Sequence, residues 1–171
     1  MPVSNSTPAG QAPCPSCGGR LGGREGCQSV FDQVSAEAWS SPARGAAHNL
    51  VVDTYAMQHP EEYGRSPKSY AAHLTALCCG VEHPGDQKLY WAIARWLDGL
   101  VAIEKPPLIA HRGVLTIADV HTPARGDDSA DLVRRWAGDV WAAYRDQQKL
   151  ARSWLEAVRQ RTTFGGSQRK P

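Results

Sequence analysis

From Gln28 to Arg159 the apolar residues return every three or four positions, the spacing of helices that each bury one face. A first helix is predicted over residues 28–39, with Val30, Phe31, Val34 and Ala38 on one side, and the Ser-Ser-Pro stretch after Trp39 breaks it. A second, over 43–59, is stopped by Pro60. The third starts at Ser66, a good cap with Pro67 at the first helical position, and runs to about Val81. A fourth, over 86–97, places Leu89, Ile93 and Trp96 or Leu97 on one face. Residues 103–126 read as an irregular crossing loop with one or two extended pieces, and 116–120 within it reads equally well as a short helical turn. The last helix is the longest, Asp127 to Arg159, carrying Leu132, Trp136, Val140, Tyr144, Ala151, Leu155 and Val158. Unbroken, it would be about 50 Å long.

The chain before Gln28 has no such pattern. Residues 1–13 are rich in Ser, Pro, Ala and Gly and are expected to be a disordered tail, as are 161–171 at the other end. Residues 14–160 are expected to form a single helical domain, for which 171 residues supply enough core. The glycine-rich stretch from Cys14 to Cys27 has no apolar periodicity and no core to order it, and a bound metal would supply what is missing.

Composition narrows the compartment and the partners. A formal charge of +2 is too small to imply nucleic acid, and no aromatic and basic residues interleave as single-strand binding needs. No basic leader precedes an apolar run, and no apolar stretch approaches the roughly 20 residues of a membrane helix. The expected place is a reducing cytoplasm. There, five cysteines, an odd number, argue against a disulfide framework and for ligands.

Cys14-Pro-Ser-Cys17-Gly is a turn that lets two thiolates face one tetrahedral ion, and Cys27 follows after nine intervening residues. A redox dithiol is the rival reading, but it belongs between a strand and a helix, a context absent here. The expected fold is therefore all-α: a compact bundle of about five helices with an N-terminal zinc knuckle and a long C-terminal helix.

Zn2+ needs a fourth ligand. His48 and His59 share a stripe of the second helix but lie about 16 Å apart along its axis, so they cannot hold one ion. If the second helix returns antiparallel to the first, His59 comes level with Cys27, and His73 on the third helix comes level with Asp53. Cys14, Cys17, Cys27 and His59 are thus the first choice, with His73 as substitute and His48 third. Asp53 beside His73 would orient an imidazole, and Tyr55, one turn from His59, would reach a metal-bound water. Asp53, Tyr55 and His73 are accordingly the catalytic candidates. Each also has a plain structural reading, as a satisfied boundary residue, and adjacent Cys78 and Cys79 read as buried small hydrophobes.

The sequence resembles a family of uncharacterised bacterial proteins, the domain of unknown function DUF5946. The likeness is carried by Cys14-Pro-Ser-Cys17-Gly, Gly26-Cys27, the string His48-Asn-Leu-Val-Val-Asp53-Thr-Tyr55-Ala-Met-Gln58-His59-Pro60, His73-Leu74, Thr116-Ile117-Ala118-Asp119-Val120 and the Trp-rich run from Val133 to Tyr144. The resemblance implies that Cys14, Cys17, Cys27, His48, Asp53, Tyr55, His59 and His73 act as one functional set. It also implies a pair of histidines near Gln147 and Gln148, where this chain departs. It supplies no reaction.

Two function classes follow. One is a zinc-binding helical protein with a small-molecule pocket between the second and third helices, acting as a metal-dependent enzyme. The other is an adaptor with purely structural zinc, in which the long last helix pairs with a partner or a second copy. A cavity with Tyr55 and His73 pointing inward favours the first; an exposed apolar stripe on the last helix favours the second.

Overall fold

The computed structural model describes residues 12–39, 42–121 and 129–165; the expected tail over 1–13 lies almost wholly outside them, as does 166–171. Eight α-helices are present among the described residues, and no strand. They are α1 (Gly23–Trp39), α2 (Pro42–Gln58), α3 (Pro60–Tyr63), α4 (Pro67–Glu82), α5 (Gln87–Leu97), α6 (Ile117–His121), α7 (Ser129–Ala143) and α8 (Gln148–Gly165).

The starts of α4 and α5 are written in local chemistry. Ser66 accepts from the Ser69 backbone N–H at 3.0 Å with Pro67 next, and Asp86 accepts from Leu89 N–H at 3.0 Å. Pro60 ends α2 and then opens the one-turn helix α3, which the sequence pattern had not separated. The 116–120 run is the short helix α6. Thr116 caps it, its Oγ1 accepting from Ala118 N–H, while Asp119 reaches back to the Thr116 N–H at 2.8 Å.

The expected long C-terminal helix is divided. A 3-10 turn over Arg145–Gln147 separates α7 from α8, and α8 runs on to Gly165, past the expected end at Arg159. Neither proline nor glycine marks the break. Packing causes it: α7 lies on α2, whereas α8 lies on α4 and α5. At the turn, Gln147 is buried, accepts from Tyr70 Oη at 2.7 Å and donates to the Pro107 carbonyl. All seven apolar positions singled out for this stretch are buried nonetheless. On α8 the apolar positions Ala151, Leu155 and Val158 face into the bundle.

α2 is the centre, packed by α1, α4 and α7. Its second half is buried on nearly every side, so its polar residues must find partners within the protein. Gln58 donates to the carbonyls of Arg112 and Leu115 and accepts from Trp136 Nε1 at 3.0 Å, and Tyr144 Oη donates to the Met57 carbonyl. Arg112, itself buried, donates to the Gln58 carbonyl and pairs with Glu61. These bonds hold the irregular crossing segment against the end of α2. No helix among the described residues is long and apolar enough to cross a membrane.

Candidate metal centre and the cleft beside Asp53

The knuckle is a short loop folded back on itself. Cys14 N–H donates to the Gly19 carbonyl and Gly18 N–H to the Cys14 carbonyl, both at 2.8 Å, and Pro13 bridges Arg20. Gly18 takes a φ of 79°, a left-handed turn that a side chain would strain, and this brings Gly19 N–H within 3.4 Å of Cys17 Sγ. Gly26 is required for another reason: a Cβ there would lie 1.6 Å from the Leu21 carbonyl oxygen. That contact seats the first turn of α1 on the knuckle and so places Cys27.

α2 returns beside α1, and His59, at the α2–α3 junction, meets the knuckle. The ligand atoms of Cys14, Cys17, Cys27 and His59 lie within 4.8 Å of one another, and these four can hold a metal ion. Cys17 Sγ is 3.7 Å from Cys27 Sγ, and His59 Nε2 is 3.5 Å from the sulfurs of both Cys14 and Cys27. An ideal tetrahedron with metal–sulfur bonds of 2.3 Å and a metal–nitrogen bond near 2.05 Å has S···S edges of about 3.8 Å and S···N edges of about 3.6 Å. The donors fit.

The imidazole is preset. His59 Nδ1 lies 2.8 Å from the Tyr55 carbonyl, which can only accept, so Nδ1 carries the proton and Nε2 offers its lone pair to the cluster. Tyr55 stacks between Phe31 and His59, with ring centroids 4.0 and 3.9 Å away, and its hydroxyl lies 3.6 Å from Cys27 Sγ. Burial first, then the hydrogen bond to Cys27, pushes the Tyr55 phenol well above its usual range, so it stays a donor. The hydrogen bond between Cys17 and Cys27 lowers the Cys17 thiol and raises that of Cys27, where burial adds to the rise. Cys14, Cys27 and His59 are buried and Cys17 half-buried.

Of the remaining candidates, Asp53 and His73 meet each other but lie apart from Tyr55. His73 Nδ1 donates to Asp53 Oδ1 at 2.8 Å, and Tyr90 Oη donates to Asp53 Oδ2 at 3.0 Å. Asp53 is 3% exposed, and burial, only partly offset by the His73 and Tyr90 hydrogen bonds, raises its pKa above the usual carboxylate value. Tyr55 belongs to the metal cluster instead. His48 donates to the Ser35 carbonyl at 3.2 Å, far along α2 from the cysteines. His83 Nε2 accepts from Arg159.

Tyr90 is the functional candidate that the sequence pattern does not reveal. It precedes Trp91 on α5, and its partner Asp53 is 37 residues away, so no spacing rule links them. Asp53 and Tyr90 open onto a cleft of about 150 Å³ between α2, α4, α5 and α7. Leu50, Ala76, Ala130 and Val133 form its apolar walls, and neither Tyr55 nor His73 lines it. Cys79 does line it, but burial, with Asp86 nearby, lifts its thiol to about 11, so it is a poor nucleophile at neutral pH.

The family of unknown function DUF5946 matches residues 12–145, from the knuckle through the end of α7. The chain belongs to this family. The match takes in all four cluster residues together with Asp53, His73 and Tyr90, and leaves out the whole of α8. Comparison with curated proteins gives no match, and comparison with solved structures gives none either.

Proposed function

We propose that this is a zinc protein in which Cys14, Cys17, Cys27 and His59 hold a structural Zn2+, and that it works by binding a small molecule in the cleft beside Asp53. The observation that carries the first half is closure: three sulfurs and one nitrogen already supply a full tetrahedron, whereas catalysis at zinc needs an exchangeable position. Zinc is preferred over other divalent ions because its filled d shell accepts a tetrahedral sulfur-rich set without penalty. The ion would staple the glycine-rich knuckle to the α1 and α2 ends. Three thiolate ligands suit a reducing compartment, which supports the cytoplasm as the place of action.

The small-molecule half rests on the cleft, because it is concave, mostly apolar and floored by a buried carboxylate. The adaptor alternative has less support, since the apolar positions of α8 are spent inside the bundle. A second reading, a proton-transfer enzyme with Asp53 as base at the cleft floor, draws on the His73 and Tyr90 hydrogen bonds that hold its carboxylate there. On that reading Asp53→Asn abolishes turnover of a cleft-bound molecule.

Metal analysis combined with X-ray absorption on protein purified without added metal tests the main reading. One zinc per chain with three sulfurs and one nitrogen is expected. An oxygen ligand or an open position overturns the structural assignment, and absence of bound metal overturns the zinc proposal itself.

A further inference from the structure

Asp53 is a charged group placed where charge is costly. It is nearly fully buried, and its two partners, His73 and Tyr90, are uncharged donors when the imidazole is neutral. Among the described residues neither Lys nor Arg bonds to it, and Arg134, which lines the cleft, pairs with Asp131 at the exposed rim. The floor of the cleft therefore holds a carboxylate without a permanent counter-charge.

What faces the space above that carboxylate is acceptor-rich. Tyr90 has committed its only proton to Asp53, so its oxygen presents lone pairs, and burial, with Asp53 beside it, keeps the phenol protonated. Asp86 uses one oxygen to cap α5 and turns the rest of its carboxylate to the border. The Asn49 side chain also lines the cleft. Around these acceptors the walls are apolar, formed by Leu50, Ala76, Pro84, Ala130 and Val133.

We propose that this cleft binds a small aliphatic amine in its ammonium form, with Asp53 as counter-ion, Tyr90 Oη as a second acceptor and the apolar walls around the hydrocarbon part. The proposal rests on the reading of the cleft as the working site and names its ligand class. An ammonium brings a permanent positive charge to a floor that has none, and it brings three donors to the acceptors there. An alcohol brings donors without charge, and a carboxylate meets like charge.

The test uses zinc-loaded full-length protein and three probes of one shape: butylammonium, butanol and butyrate. Methyl and aromatic NMR signals of Ala76 and Tyr90 report the cleft in the wild type, so the experiment does not depend on any variant folding. Butylammonium is expected to shift both signals with a dissociation constant at least tenfold below that of butanol, and butyrate to shift neither. Asp53→Asn should erase the preference for the ammonium, with zinc content unchanged, while Tyr90→Phe should weaken binding a few-fold and keep the preference. Butanol or butyrate binding as well as butylammonium would overturn the amine assignment and leave the cleft standing as a site. Silence of the Ala76 and Tyr90 signals with all three probes, into the tens of millimolar, would overturn both.

Discussion

One helix, α2, carries two polar clusters of opposite design. Asp53 and His59 are six residues apart, about 9 Å along the axis, and both are almost completely buried. At the His59 end, three sulfurs and a nitrogen point lone pairs at a single spot, and the atoms behind them are fixed by other groups: Nδ1 by the Tyr55 carbonyl, Cys27 by the Tyr55 hydroxyl, Cys17 by Gly19 N–H. A cation at that spot could take all four. At the Asp53 end two donors meet the carboxylate, and a cleft opens beside it. Burial alone does not identify a functional centre; what distinguishes the two is whether the surrounding protein completes the group or leaves a place for something from outside.

Four substitutions would break or sharpen this contrast. The largest effect is expected for Cys27→Ser, which removes a ligand at the closed end. Loss of an ion held a thousandfold above its dissociation constant costs about 4 kcal/mol, read as a lower melting temperature and loss of bound metal. A chelator should reproduce the melting shift in the wild type. An unchanged melting curve with and without chelator would show that the cluster does not hold the fold.

Gly26→Ala comes next. The new methyl group would meet the Leu21 backbone, so the knuckle must shift, at a cost of about 1–3 kcal/mol. Metal affinity should fall while the cleft signals of Ala76 and Tyr90 stay in place. Tyr55→Phe keeps the ring stack but deletes the hydroxyl beside Cys27. Groups that support ligands in this way are worth about tenfold or more in affinity, which a competition titration against a chelating dye will measure.

Asp53→Asn has the smallest expected effect on stability, and its sign depends on pH. The folded-state pKa of Asp53 is raised. Its contribution is therefore most favourable below the unfolded value near 3.9 and is lost as pH rises through the folded value. Urea midpoints between about pH 4 and neutrality should show the variant gaining on the wild type as pH increases. A gap constant with pH would mean that Asp53 titrates alike folded and unfolded.

Much of this was legible beforehand, for identifiable reasons. The Cys14-x-x-Cys17 spacing and the glycines around it are local chemistry. His59 became the fourth donor through a short chain of geometry, because Pro60 ends α2 and an antiparallel return puts that end beside Cys27. The same reasoning puts His73 level with Asp53, and the two are hydrogen-bonded. Tyr55 was legible only as a neighbour of the metal; that it stacks on His59 and donates to a sulfur depends on where Phe31 and Cys27 arrive from α1. Tyr90 was not legible at all. Nothing in the sequence around Leu89 and Trp91 tells that a phenol will reach across to a carboxylate on another helix.

By itself, then, the sequence determined the helices with strong local signals, their buried faces, the cap at Ser66 and three of the four residues that could hold a metal. Each of these rests on contacts within a few residues, where helical periodicity and capping chemistry act directly. The tertiary structure alone decided the break between α7 and α8, the burial of Gln58 and Gln147 and the opening of a cleft above Asp53. Neither proline nor glycine interrupts Ala143 to Gln148, and intrinsic propensity there differs by only tenths of a kcal/mol per residue. Packing α7 on α2 and α8 on α4 outweighs that preference, since each buried apolar side chain is worth about 1.5–3 kcal/mol.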